Sequence, residues 1–515
     1  VQGSIDAEKA ADTVRDARLA ARAAWYDAAL SLTDGCEDWP EPYAEQGILV
    51  KVEVLGRNDP VGGLEYLAGV DDLFTSPEGR FGRALAAGLL HYRLHDFDAG
   101  DAAYASARVF AAAVPNGEQT LAYHLLRRGY IRREGDFAVP EFALAFSHPD
   151  PNYVALTYNI RGWYHAIAGD FRAQISDFRA ALAVEPRAGE PLDAYIRART
   201  INTLAVAAFE TADGEGVAVA RTAADGLAWT PDLAFEQFNA LRFFGWDAFM
   251  RGQPGRAQWA FKDARAVAPS VPWQIMAHLD RAYVARISRN EVWSLDELAE
   301  ADRLARDMRW ESAVGEERVV LPVLATLFAR VDAVRAQRYA AIFGSIGGAN
   351  ALDPTLVLAK DPRAAAFVRY AQGLIDLALG RSDIAIPSIT SAYETFDKVQ
   401  YHFRSALAAG MLFEATGEQR WREASVAHAN RYPNCPLATF ADDVVAREAA
   451  VPKGLSPFQR QLARALVGGA ELAELSKRFS RSLYTIERQV SEVYAAFDVR
   501  SRGELLDVAQ VRGLA

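Results

Sequence analysis

Residues 162–186 read GWYHAIAGDFRAQISDFRAALAVEP, and residues 245–269 read GWDAFMRGQPGRAQWAFKDARAVAP. Laid over one another, they share a glycine in first place (Gly162, Gly245) and a turn (Gly169-Asp170-Phe171, Gly252-Gln253-Pro254). An aromatic ring (Phe178, Phe261), a small residue (Ala181, Ala264) and a closing proline (Pro186, Pro269) follow at one set of offsets. The same frame fits Gly88, Asp96-Phe97, Gly100, Tyr104 and Ala107, and again Gly373, Gly380, Ala385, Ile389 and Ala392. Weaker copies run through Ala207, Gly214, Ala223 and Pro231, and through Gly410, Gly417 and Ala429. Each unit is legible as a helical hairpin. The small residues let two antiparallel helices approach, the Gly-Asp or Gly-Gln pair turns the chain, and proline starts or stops the next unit.

Working outward, alanine-rich segments of helical period fill residues from about 4 to 450, and alternating strand patterns are almost absent, so the fold class is all-α. Copies of the frame are poor between residues 275 and 360. The segment Ala341 to Pro362, with Gly344, Gly347, Gly348 and Pro354, breaks the helical pattern. This divides the region into 1–340 and 341–451. Ile48 to Leu55 reads equally as strand or helix. From about residue 80 to 430 the repeat resembles the tetratricopeptide repeat in a degenerate form, which implies an α-solenoid with a concave face able to take a peptide, a partner helix or a small-molecule effector. Tyr158, Trp163, Tyr164, Phe243, Phe244 and Trp246 are the aromatic residues that either line such a groove or fill the hairpin core.

The bulk properties limit the function classes. The chain has 515 residues, 51% hydrophobic and 24% charged, which suits a folded multidomain protein. No apolar run reaches the roughly 18 residues that span a bilayer, and Val1 to Ala20 lacks the apolar core of a secretion signal, so a cytoplasmic protein without a membrane partner is expected. Cys36 and Cys435 are the only cysteines, too far apart for a CxxC motif. No GxxxxGK[ST] phosphate loop, HExxH zinc motif or GxSxG elbow occurs, and the chain is expected to be non-enzymatic, without metal or cofactor. His91 and His95 have chelating spacing on one helix but no companion ligand in the motif.

Net charge is −11 over the whole chain. From Leu455 onward nine basic residues meet seven acidic ones, which leaves +2 there and −13 elsewhere. The end of the chain is the one place where a polyanion is not opposed by local charge. Two proline-containing breaks, Tyr432-Pro433-Asn434-Cys435-Pro436 and Val451-Pro452-Lys453-Gly454, set off a domain at 452–515. Its expected helices run Pro457–Val467, Glu471–Phe479, Leu483–Phe497 and about Ser501–Val511, with Ser456 and Ser482 as caps. Leu462, Leu466, Leu475, Phe479, Ile486, Val490, Val493, Phe497 and Val499 fall at core spacing.

Leu455-Ser456-Pro457, Gly469, Ser482-Leu483-Tyr484-Thr485-Ile486 and the run Phe497-Asp498-Val499-Arg500-Ser501-Arg502-Gly503-Glu504-Leu505 closely resemble the LuxR, or GerE-type, domain over nearly its whole length. The resemblance implies a four-helix, helix-turn-helix transcriptional regulator that binds double-stranded DNA as a homodimer through its last helix and contacts RNA polymerase in a bacterial cell. Tyr484, Thr485, Glu487, Arg488 and Gln489 would occupy the half of the recognition helix that enters the major groove. Arg488 suits guanine and Gln489 adenine. Lys477, Arg478, Arg481, Arg500 and Arg502 would meet phosphates. The chain departs from the family at Phe458-Gln459, where Arg-Glu is usual, at Gln489, where His or Lys is usual, and at Ala496, where Lys is usual. These changes thin the positive footprint and favour paired half-sites. A non-enzymatic scaffold whose terminal helices do not bind DNA is the rival reading, toward which Glu487 and Glu492 lean.

Overall fold

The computed structural model describes residues 6–132, 139–187, 191–313, 315–329, 331–348, 362–438, 455, 457–467, 471–478 and 481–511. These residues form α-helices joined by short turns, with no β-strand among them. The first helices are α1 (Ala7–Arg22), α2 (Tyr26–Leu32), α3 (Tyr43–Asn58), α4 (Pro60–Gly69), α5 (Pro77–Arg93), α6 (Phe97–Ala111), α7 (Gly117–Ile131), α8 (Glu141–Phe146), α9 (Pro151–Ala168) and α10 (Phe171–Leu182). Next come α11 (Ala194–Glu210), α12 (Gly214–Asp225), α13 (Ala234–Met250), α14 (Pro254–Ala266), α15 (Val271–Ile287), α16 (Glu291–Arg306), α17 (Val320–Phe328) and α18 (Ala333–Ser345). They are followed by α19 (Pro362–Ala378), α20 (Ser382–Lys398), α21 (His402–Thr416), α22 (Gln419–Ala429), α23 (Pro457–Val467), α24 (Leu472–Arg478), α25 (Leu483–Phe497) and α26 (Arg502–Val511). The chain forms two compact units, one of Val1–Phe209 with Asp213–Phe243 and one of Glu210–Ala212 with Phe244–Ala515. No helix among the described residues is long and apolar enough to cross a membrane.

The turn that the sequence repeats has one construction. A left-handed residue ends the first helix at Ala24, His95, Gly169, Ala212, Gly252, Arg289, Gly380 and Gly417. In most of these turns the next amide reaches five residues back and so satisfies a carbonyl of the last helical turn: Asp170 donates to His165 at 2.9 Å, Asp213 to Ala208 at 2.8 Å and Asn290 to Ala285 at 2.9 Å. That same residue then opens the second helix. The side chains of Asp170, Asp213 and Asn290 accept from the amides of Ala173, Gly216 and Trp293 at 3.0–3.1 Å. One aspartate or asparagine therefore closes one helix and starts the next.

The α9–α10 and α13–α14 seams rest on close approach. A Cβ at Gly162 would lie 2.7 Å from the Phe178 ring, and one at Gly245 would lie 2.7 Å from the Phe261 ring. Both rings are fully buried. This packing also reveals hairpins the frame underrates. In α15–α16, Arg289 takes the left-handed place, and Ser294, Leu298 and Ala301 are buried at the positions that correspond to Gln174, Phe178 and Ala181. Ser294 Oγ donates to the Ala282 carbonyl at 2.9 Å, so a hydroxyl stitches this seam where a bare backbone suffices elsewhere. In α11–α12 the turn is Ala212-Asp213, two residues ahead of the expected frame through Gly214, because Asp213 is the capping residue.

One open reading is resolved and one expectation changes. Ile48 to Leu55 is helical, inside α3. Its alternating apolar residues are two i,i+4 stripes: Ile48 and Val52 pack into a cluster with Cys36, Leu67 and Leu90, while Val50 and Val54 pack into another with Ala17, Tyr26 and Ala198. The helical pattern also persists past Ala341 to Ser345 and gives way near Gly347 and Gly348, which have positive φ. Pro354 lies outside the described residues.

Candidate nucleic-acid interface

The last four helices are short, and their stability rests on one shared core. Leu455, Leu462, Ala463, Leu466, Leu475, Ile486, Val490, Val493, Phe497, Val499 and Leu505 are buried together, with Phe458, Leu472, Tyr494 and Val508 packed around them. Every described member of the expected core is present. Ser456, Gly469, Phe479 and the boundary near 452 lie outside the described residues, as do the side chains of Lys477 and Arg478.

α25 contacts α23, α24 and α26. It turns Ile486, Val490, Val493 and Phe497 inward at i, i+4, i+7 and i+11. The opposite face is left to solvent: Tyr484 is 76% exposed, the Arg488 side chain 64%, and Glu487 and Ser491 are exposed as well. Fifteen residues make this helix about 22 Å long. Its start is fixed by Ser482, whose Oγ accepts from the Thr485 amide at 3.2 Å and lies 2.7 Å from the Thr485 hydroxyl. The preceding turn is closed by Ser476, whose hydroxyl donates to the Arg481 carbonyl at 2.6 Å while its own carbonyl accepts from the Arg481 amide at 3.1 Å.

The departures from the family pattern have physical places. Phe458 lies under Arg481, guanidinium carbon 4.1 Å from the ring centroid, a cation–π contact. Gln459 donates to Glu492 at 2.5 Å and braces α23 on α25. Glu492 also accepts from Gln489 at 2.9 Å and sits 3.8 Å from Arg488. One carboxylate therefore engages the two side chains best suited to base edges. The Gln489 and Arg488 pairings follow i,i+3 and i,i+4 spacing visible in the sequence, whereas nothing in the sequence signals the Phe458–Arg481 stack.

Arg502 pairs with Glu471 at 2.9 Å. Burial raises the Tyr494 hydroxyl pKa, with Arg502 pulling the other way. The Arg500 amide donates to Glu504 at 2.8 Å and the Glu504 amide to Ser501 at 3.2 Å, which caps α26. Tyr484, Glu487 and Arg488 share the outer face of α25. Thr485 and Gln489 are half-buried beside it, Arg481 sits at its start, and Arg500 and Arg502 follow its end.

The aromatic residues named for a groove separate into two groups. Tyr164 is 2% exposed, with its hydroxyl donating to the Leu126 carbonyl at 2.9 Å and its ring edge-on to Phe142. Phe243, Phe244 and Trp246 are buried, Trp246 among Phe249, Phe261, Tyr283 and Phe403. These fill cores, because aromatic residues at helical spacing next to a seam glycine are the packing partners of that seam. Tyr158 and Trp163 keep accessible surface, and the Trp163 Nε1 is buried without a partner. The His91 imidazole pairs with Asp96 at 3.1 Å, while the His95 backbone takes the left-handed turn position and its ring lies edge-on to Phe97. Among the described residues no group of three or more His, Cys, Asp or Glu side chains is placed to hold a metal ion. No protein-family model matches the chain, and no curated protein matches it.

Proposed function

We propose that this chain is a bacterial, cytoplasmic transcriptional regulator: a degenerate tetratricopeptide-like solenoid that senses an effector or partner and controls DNA binding by a LuxR-type helix-turn-helix at residues 452–515. The observation that carries the reading is the exposed outer face of α25, where Tyr484, Glu487 and Arg488 stand over a core set at the family's offsets. A helix of this length, presented by three supporting helices and opened by a serine cap, suits insertion of its N-terminal half into a major groove. Arg488 then reads base edges. Arg481, Arg500 and Arg502 meet phosphates, with Arg502 exchanging Glu471 for the DNA. Dimerisation through α26 would place two such helices on two half-sites, which offsets the thin positive charge of one copy.

A scaffold whose terminal helices do not bind DNA is favoured by one observation, the carboxylates Glu487 and Glu492 beside Arg488. Titration of duplex DNA with the full chain over a range of salt separates the two. The regulator reading expects the logarithm of the affinity to fall linearly with log salt. Arg488→Ala should cost about 1–3 kcal/mol on a preferred sequence and little on random duplex, while Arg502→Ala should weaken all duplexes alike and reduce the salt slope by about 1. Salt-independent or undetectable binding by the full chain supports the scaffold instead.

A further inference from the structure

The first unit carries half-buried positive charge that its own carboxylates only partly neutralise. Arg57 of α3 is satisfied, paired with Glu53 at 2.9 Å and Asp193 at 3.1 Å, its guanidinium over the rings of Tyr26 and Tyr195. Burial pulls the Arg199 guanidinium of α11 down, but its surroundings of Tyr195, Tyr130 and Glu236 more than offset this and its pKa is raised. Arg93 at the end of α5 and Arg127 of α7 differ. Arg93 donates to the Gly56 carbonyl. Among the described residues no carboxylate lies within ion-pair distance of either guanidinium. Burial, then the neighbouring Arg127 and Arg57, push Arg93 down to about 10, with Tyr195 and Glu53 opposing. His124 beside Arg127 is held neutral, down to about 3, by burial and by that guanidinium, and its Nδ1 is buried without a partner. Like charges gathered in a poorly solvated place are costly unless an anion joins them.

The same neighbourhood holds flat rings and an unmatched donor. Tyr130 lies one helical turn beyond Arg127, and its ring centroid is 5.4 Å from that of Trp163, whose Nε1 is buried and unpartnered. Arg93, Arg127, Tyr130, Trp163, Tyr195 and Arg199 are all half-buried, so each presents surface to solvent. They come from α5, α7, α9 and α11 of one unit.

We propose that these six residues form a binding site for a small organic carboxylate with a flat apolar body. The Arg93 and Arg127 guanidiniums take the carboxylate, the Trp163 Nε1–H donates to it or to a substituent beside it, and the rings of Tyr130, Trp163 and Tyr195 cover the body. This names the chemistry of the effector in the regulator reading and depends on that reading only for its consequence, since the binding is measured without DNA.

Benzoate titrated into the full chain, followed by tryptophan fluorescence and by thermal melting, tests it, with benzamide as the neutral isostere and inorganic phosphate as a ringless anion. Benzoate should quench fluorescence saturably and raise the melting temperature, while benzamide and phosphate do neither. Arg127→Gln should weaken benzoate by about tenfold or more. It should also leave the ligand-free protein melting at the parental temperature or above, because it removes an uncompensated charge. Trp163→Phe, which keeps a ring and loses the donor, should weaken benzoate severalfold. No benzoate binding, equal shifts from benzamide, stronger effects from phosphate, or parental benzoate affinity in Arg127→Gln would each overturn the proposal. Failure of DNA binding would leave it standing and remove only the regulator reading.

Discussion

In the α9–α10 hairpin the polar side chains turn toward each other. Arg161 grips Asp177 through two hydrogen bonds of 2.8 and 2.6 Å, and the Asp177 side chain is only 7% exposed. In α25 the corresponding residue types point away from the fold: Arg488 reaches its nearest carboxylate at 3.8 Å and remains largely exposed. The two regions share a way of folding, a capped helix over an apolar stripe, but spend their polar residues differently. Those of the hairpin are buried in the packing, whereas on α25 Tyr484, Glu487 and Arg488 stand exposed and Glu492 takes hydrogen bonds from Gln459 and Gln489. The same chemical substitution should therefore be read in stability in one region and in binding in the other.

The largest expected effect tests whether the regions fold independently. All ten tryptophans lie at or before Trp421, so tryptophan fluorescence reports on the repeats alone. Ile486→Ala should destabilise the terminal helices by about 2–5 kcal/mol, expose them to protease and leave the fluorescence-detected denaturation of the repeats unchanged. A matching loss in the fluorescence transition would mean that the comparison is drawn between parts of one cooperative body. Gly245→Val forces a side chain into the Phe261 ring and should cost about 1–3 kcal/mol in that fluorescence transition. Parental stability there would show that the seam is looser than its geometry.

Arg161→Ala leaves the buried Asp177 without its principal partner and should cost about 1–3 kcal/mol of stability. Arg488→Ala should stay within about 0.5 kcal/mol of the parent in the same denaturation experiment followed by circular dichroism. Equal losses from the two would erase the contrast. A further small effect concerns the turns. Arg289 holds a left-handed conformation that glycine adopts without strain, and Arg289→Gly should gain up to about 1 kcal/mol. A loss would mean that the arginine side chain stabilises the turn by more than its backbone costs.

The terminal helices were legible almost residue by residue, because a short run of helices around a single core leaves little choice of period: Pro457–Val467 and Leu483–Phe497 match the expected bounds. The hairpins were legible wherever glycine marked both the seam and the turn. They were obscured in α15–α16, where Arg289 and Ser294 do those jobs by a strained backbone and a side-chain hydrogen bond. Ile48 to Leu55 was ambiguous because a helix buried on two sides carries two stripes, and two stripes imitate alternation. The polar surroundings of α25 were only partly readable. Spacing on one helix foretells Gln489 and Glu492, but Phe458 meeting Arg481 and Glu471 meeting Arg502 depend on how separate helices come together. The Arg93–Arg127 pair is the extreme case, since residues on different hairpins become neighbours only through the fold.

Selection of duplex DNA from a randomised pool by the full chain tests the central claim most directly. The account predicts enrichment of a two-fold symmetric sequence with two half-sites, and loss of preference at defined positions within each half-site in Arg488→Ala while non-specific affinity persists. Recovery of an unenriched pool by the parent chain, or an identical enriched sequence from Arg488→Ala, would contradict it.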